Sequence, residues 1–437
     1  MRLAYRILIG IGCVAAMSIS WFIVVNSKPT AEKQLELITQ AAALMDDCIY
    51  IRAVPLLEEA AGYNAAHTAE AEEALKKAYL ALLDTRGFNR KYTSLLKKQM
   101  DRKDADPSLF AEAAEYYLRA SKITEALEVL RTGIGKTGSE LLTALYEQNR
   151  YAYETNRTNY DYIADIYGTT VQVQREGLWG LAASDGVLLI PCEYEKISTY
   201  SADRAIVKKD GEIYAVNINN NRVAKLNDTS EDFGNYADDR ISLLKDGNWR
   251  RATGEFVIGT ILFEQLGMNS GGYAAAKTGG RWGVINLANN WLIPAEYDGI
   301  IQDELGRCYA RDAVFAKKDG KAYLFVGGRQ VGEAFEDARP FSDEGYAAVK
   351  RDGKWGFIDI DGIVVIDFRF DDALSFGQHM AAVKQDGLWG YINMKGDVVI
   401  EPVYMEAKSF SNGSAPVLTE RGWQFITLLE YKRRASL

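Results

Sequence analysis

Histidine is almost absent from this chain, which has only two, His67 and His379, among 437 residues. That removes most zinc ligation and most general-base chemistry, for which imidazole is the usual side chain. Cysteine is scarce as well: Cys13 sits in an N-terminal apolar run, and Cys48, Cys192 and Cys308 are far apart. Neither a CxxC metal motif nor a disulfide framework can be built from that spacing. Basic clusters are missing except for the tail residues Lys432, Arg433 and Arg434, and the net charge is −9. Nucleic-acid binding draws on clustered Lys and Arg that release counterions, so it is excluded on this balance. No GxSxG motif, and no repeated carboxylate pair with a perturbing apolar pocket beside it, can be found. What is present, 48% hydrophobic and 25% charged residues, is the composition of a folded chain with room for two or three domains.

The first thirty residues read as a membrane anchor. Arg2 and Arg6 precede an uncharged apolar run over residues 7–25, with no polar stripe. At the helical rise this is enough to cross a hydrocarbon core about 30 Å thick. A cleaved signal peptide is the competing reading, but Trp21-Phe22-Ile23-Val24-Val25 offers no small-residue cleavage site. Gly10-Ile11-Gly12 before Cys13 fits a lipoprotein signal poorly. The expectation is a single-pass signal anchor in the cell membrane, with the bulk of the chain extracytoplasmic. Lys28 and Lys33 nearly balance Arg2 and Arg6, so the charge bias behind that orientation is slight.

From residue 31 to about 150 the spacing of Ala, Leu, Glu and Lys is helical. Pro107 begins a helix that continues through Tyr117, and a second runs from Thr124 to near Gly133. Ala114 and Ala126, twelve apart, are small where paired helices must approach, and Tyr117 and Leu130 take the bulky positions. Ala41, Ala53, Leu57 and Ala60 repeat the scheme, and segments 69–83 and 92–99 suggest a third hairpin. These residues resemble tetratricopeptide (TPR) repeats. The resemblance implies a groove for extended or helical peptides. Gly135-Lys136-Thr137 mimics the end of a phosphate loop, but Leu130 stands where the leading Gly belongs and the segment follows a helix.

The strongest signal lies further on. Lys350-Arg351-Asp352-Gly353-Lys354-Trp355-Gly356 recurs as Lys384-Gln385-Asp386-Gly387-Leu388-Trp389-Gly390. The Trp position returns at Trp179, Ile213, Trp249, Trp282, Ala322, Trp355, Trp389 and Trp423, in steps near 34 residues. Within a unit, Asp352-Gly353 predicts a two-residue primed turn between two strands, and Asp361-Gly362 a second turn before a third strand. Three strands bury too little to persist alone, so the units must stack. The pattern resembles the WG repeat family common in bacterial proteins. Trp179, Gly180, Trp282, Gly283, Trp355, Gly356, Trp389 and Gly390 carry it, Trp249 and Trp423 keep only the Trp, and Ile213 and Ala322 depart from it. The Trp is expected to fill the seam between units, and the Gly to admit the neighbouring unit. A closed propeller-like ring is favoured over an open β-solenoid. As read, the last unit lacks a third strand unless residues 428–434 supply it.

The expected organisation is therefore 1–30 anchor, 31–150 helical domain, 151–159 linker, 160–430 an eight-unit WG domain, and 431–437 a basic tail. Recurrent Asp-Gly pairs are assigned to turns rather than to calcium, since the further oxygen ligands of a metal loop are missing. His379 falls in a loop. One irregularity stands out: the step into Ala322 is 40 residues, with about six extra residues between Asp298 and Asp312. Asp303, Glu304, Arg307 and Tyr309 in that insertion are the candidate binding loop, on the expectation that insertions project from one face. Cys308 lies beside them. No catalytic, cofactor or metal residue is identified. The function read from the sequence is a non-catalytic, membrane-anchored scaffold for a protein or cell-envelope partner. An envelope-polymer hydrolase, or its targeting subunit, is the alternative.

Overall fold

A computed structural model describes residues 30–227 and 229–431. The anchor run 7–25 and the basic tail residues Lys432, Arg433 and Arg434 lie outside these. Among the described residues no helix is long and apolar enough to cross a membrane. The chain divides into a helical unit and a β unit between Gln148 and Asn149.

The helical unit has seven helices among its described residues: α1 (Thr30–Asp46), α2 (Tyr50–Gly62), α3 (Thr68–Ala81), α4 (Phe88–Met100), α5 (Pro107–Arg119), α6 (Ile123–Thr137) and α7 (Glu140–Asn149). The first six pair as three antiparallel hairpins, the middle one being the third hairpin anticipated from the spacing. Alanines at the contacts explain the close approach: Ala41, Ala53, Ala60 and Ala126 are fully buried. Asp106 caps α5 by accepting from the Ser108 N–H at 2.8 Å, with Pro107 in the first turn, where its missing N–H is not needed. Helix α6 runs past Gly133 to Thr137, and Gly138 ends it in the left-handed region. Gly133 is a packing residue, because a Cβ there would lie 2.7 Å from Phe110 and Leu142.

Polar side chains also tie these hairpins together. Glu72 is fully buried and receives Arg102 at 2.5 Å, with Lys98 at 3.2 Å. Burial pushes its carboxyl upward, but Arg102, Lys98 and Gln99 outweigh that and hold it below the usual carboxylate range. Its contribution to stability is therefore complete above the unfolded carboxylate range and lost as pH falls through the lowered folded value. Glu72→Gln should cost about 2 kcal/mol at pH 7, less than a fully buried pair because Arg102 and Lys98 reach solvent. Urea unfolding followed by helical circular dichroism at pH 7 and pH 3.5 should show the wild type losing more stability on acidification than the variant. Equal losses would remove the ion cluster from the account.

The β unit is an eight-bladed propeller. Its blades are antiparallel sheets spanning 162–194, 196–225, 232–253, 265–297, 299–335, 337–370, 372–404 and 406–428, numbered 1 to 8 below. Seven of them have four strands rather than the three anticipated. The extra one, except in blade 1, is a two-residue strand such as Asp372–Ala373, too short to announce itself in a hydropathy pattern. It lies on the axial side, since residues beside these strands, among them Asp165, Gln302, Arg339 and Lys408, line one cavity.

Blade 8 takes its outer strand from the opposite end of the unit. Tyr153–Arg157, inside the expected linker, pairs antiparallel with the last strand from Tyr153 opposite Leu428 to Arg157 opposite Gln424. Of the residues 428–434 expected to supply it, Leu429–Tyr431 forms a short 3-10 turn, and Lys432, Arg433 and Arg434 lie outside the described residues. The reason is topological: an eighth blade paired with both chain ends leaves no open seam, and the Thr158 hydroxyl adds a bond to the Trp423 carbonyl at 2.8 Å. A chain beginning at residue 160 should therefore melt about 5 °C or more below one beginning at residue 150. Equal melting temperatures in differential scanning calorimetry would show that closure contributes nothing.

Candidate functional site

Each blade is shaped by a few recurring residues. At the Asp-Gly turns, Asp210, Asp246, Asp319, Asp352 and Asp386 and the glycines after them all have positive φ, as a primed two-residue turn requires. Asp185 and Asp361 do not, and serve wider turns. In five blades an acidic residue just before the first strand accepts from the turn of the same blade. Asp161, Glu231, Glu264, Asp298 and Glu336 do so at 2.5–3.1 Å. This acid recurs at the Asp371 position of the repeat, yet its partner could not be read from the sequence.

The Trp position faces the next blade. Trp355 packs with Ala373, Phe376 and Ala381 of blade 7, and Trp389 with Ala407 and Phe410 of blade 8. Trp423 closes the ring against Ile163, Val171 and Val173 of blade 1. Ile213 and Ala322 fill the same place and are buried. Trp179, Trp249 and Trp282 are half-buried.

The Gly after the Trp has a different reason from the one anticipated. A Cβ on Gly180, Gly283, Gly356 or Gly390 would lie 2.4–2.7 Å from the carbonyl of Ile190, Ile293, Ile366 or Ile400. Those isoleucines belong to the outer strand of the same blade, which bulges over the glycine; Trp355 pairs with Phe370, but Phe357 pairs with Ile366. The bulge, not the neighbouring blade, needs the empty space.

The candidate loop does not project outward. Residues 301–309 turn into the ring axis and plug it. Asp303 accepts from the Arg307 N–H at 2.8 Å and pairs with its guanidinium at 2.5 Å, closing a tight turn. Leu305 is buried against Ala237 and Met268, and its carbonyl accepts from Asn235 at 2.9 Å. Glu304 accepts from the Tyr162 hydroxyl and pairs with Lys408 at 2.9 Å. The insertion thus bridges blades 1, 3, 4 and 8 from its origin in blade 5. It turns inward because Leu305 buries apolar surface there and Lys408 offers Glu304 a cation. Tyr309 is buried, donating to Asp312 at 2.8 Å. Cys308 is fully buried and burial pushes its thiol up to about 12, so it stays protonated at neutral pH.

Beside this plug lies a cavity of about 870 Å³, reaching the end of the ring where Ser270, Asp312, Glu344, Gln378 and Asn412 gather. His379 sits near its rim in a turn with positive φ, its N–H 3.3 Å from Glu344. His67 is far away in sequence, on the helical unit, beside Glu70. Among the described residues no group of three or more His, Cys, Asp or Glu could hold a metal ion.

The model of the WG containing repeat matches at residues 179–212, 282–303, 334–355, 355–389 and 389–423. The propeller contains WG repeats at these five places. No curated protein matches the chain. Among solved structures, Hsv2 of Kluyveromyces lactis is similar at 11% identity and a TM-score of 0.35, over 62% of this chain and 97% of that one. The Pan2 WD40 domain of Neurospora crassa is similar at 10% identity and a TM-score of 0.36, over 63% and 90%. Such distant likenesses identify neither partner nor activity.

Within the WG repeats, Gly356→Ala should destabilise the propeller by about 1–3 kcal/mol, because the bulged strand must move. Chemical unfolding of the β unit checks this, and a variant as stable as wild type would refute the close approach.

Proposed function

We propose that this chain is a non-catalytic scaffold, anchored in the cell membrane by residues 7–25, that presents its helical hairpins and its WG propeller to a protein or cell-envelope partner. The observation that carries the reading is the propeller's interior. Three of its cations are held by acids, Arg307 by Asp303, Lys408 by Glu304 and Glu406, and Arg339 by Asp372. Such pairing fixes a plug and shapes a polar mouth; it does not assemble a nucleophile with a base. The thiol within the plug, Cys308, is protonated, and His379 lies in a turn beside the rim. The helical hairpins support the same reading through their TPR resemblance, since stacked hairpins offer an extended surface suited to peptides. The anchor rests on the apolar run in the sequence, as does the extracytoplasmic placement of both units.

Affinity capture on the tagged full-length chain, extracted in mild detergent, is expected to recover one stable partner. Turnover of an envelope polymer by the purified chain would overturn the non-catalytic reading. Protease added to intact cells should digest the bulk of the chain, whereas full protection would reverse the orientation.

A further inference from the structure

The cavity beside the plug contains one group that the ring leaves unused. Carboxylates in its lining outnumber basic side chains nine to four. The four cations are already committed. Arg307, Arg339 and Lys408 are paired as above, and Arg311 donates to the Asp343 carbonyl at 2.7 Å. Among the remaining acids, Asp312 receives Tyr309, and Asp238 receives Asn269 at 3.0 Å. Glu344 faces the His379 N–H, and Asp343 is exposed at the rim. Asp165 is different. It lies on the axial strand of blade 1, deep in the ring, and its carboxylate has no hydrogen bond or ion pair among the described residues.

An unpaired carboxylate at that depth is costly unless something meets it. Burial first, and then the negative charge of Asp303, hold its carboxyl above the usual carboxylate range; Lys408 and Arg307 offset this only in part. The cavity it lines is large enough for more than a few waters, and the same lining carries the hydroxyls and amides of Ser342, Ser375, Ser411 and Gln302. Carboxylate plus neutral hydrogen-bonding walls is the complement of an organic cation with its own N–H donors.

We infer that this cavity is the propeller's ligand site and that it takes an organic ammonium group, seated on the carboxylate of Asp165 with the 301–309 plug as its floor. The inference rests on the proposed reading of the propeller as a binding module and names the chemistry it selects. The ammonium can be borne by a free diamine or by a lysine side chain of a partner. The plug gives the site its depth: without Glu304 holding Lys408, that lysine would be free to swing to Asp165 and neutralise it.

The test is calorimetric titration of the full-length chain in detergent with cadaverine and with Nα-acetyl-lysine amide, each beside its uncharged counterpart, 1,5-pentanediol and Nα,Nε-diacetyl-lysine amide. Saturable binding of either ammonium probe, at least tenfold tighter than its neutral counterpart, supports the site. The probe that binds identifies the source, free diamine or protein side chain. Asp165→Asn should weaken binding at least tenfold while leaving the melting temperature unchanged or higher, since an uncompensated charge is removed. Ser411→Trp, which fills the mouth and leaves Asp165 in place, should abolish binding and keeps the test decisive if the first variant does not fold. Ammonium probes that bind no better than the neutral ones, or that bind either variant as they bind wild type, overturn the inference. Partner capture undiminished in Asp165→Asn would then show that the scaffold reading stands without it.

Discussion

Five residues far from the repeats they complete decide whether the propeller is a ring. Tyr153–Arg157 supplies the outer strand of blade 8, while every other strand of the array comes from residues 162–428. No blade here could stand alone, because an isolated antiparallel sheet of this size buries one face at most. Each blade is stable through the seam it shares with the next, and the ring gives every blade two seams. Opening blade 8 would expose Trp423, Phe425 and the blade 1 face that holds Ile163 and Val173. The seams are where the WG repeats are most nearly alike, and the closing strand makes the first seam equivalent to the rest.

Closure also explains how the repeats can decay. At Ile213 and Ala322 the Trp is gone, yet the position remains buried and apolar. The seam requires volume excluded from water rather than an indole, so the requirement that survives is looser than the motif. The Gly after it is constrained in blades 1, 4, 6 and 7, where a Cβ would meet the backbone of the outer strand, whereas blade 5 carries Tyr323 at the equivalent shift in register. Blade 3, which carries Arg250 in that place, has only three strands, and its outer contact reduces to isolated bridges such as Trp249 with Phe263. Blades 2, 5 and 8 carry Tyr214, Tyr323 and Gln424 in that place and keep four strands, so loss of the glycine does not by itself remove the outer strand.

These contrasts show what was legible beforehand. The Asp-Gly turns could be read because two consecutive positive φ values restrict the residue types that fit. The period of the array could be read because a seam repeats it. The axial strands could not, being two residues long in most blades. The closing strand reads as linker because Tyr153–Arg157 is polar and half-exposed, with nothing local to mark its distant partner. The insertion 301–309 was visible as extra length, but its direction was not. Direction is set by where Leu305 and Glu304 find partners, and those partners, Met268 and Lys408, lie 37 and 104 residues away in sequence.

The plug turns a structural ring into one with an asymmetric interior. Eight similar blades would give a channel whose lining repeats eight times, with no reason to favour one sector. The insertion divides the interior: a cavity of about 870 Å³ is lined mainly by blades 5 to 8 with Asp165 of blade 1, and another of about 600 Å³ lies between the plug and blades 1 to 4. It also distributes the charges. Lys408 lies over the Tyr162 ring at 5.3 Å and the Trp423 ring at 5.8 Å, and Glu304 draws it to that side. Burial lowers the Lys408 ammonium pKa, but Glu304, Asp165 and Glu406 more than restore it, so it stays a cation. A lysine so held is shared among several acids and neutralises none of them fully. Insertion of the plug thus breaks the symmetry of the axis: among the described residues it leaves two cavities of unlike lining, and the one of about 870 Å³ holds the unpaired carboxylate of Asp165.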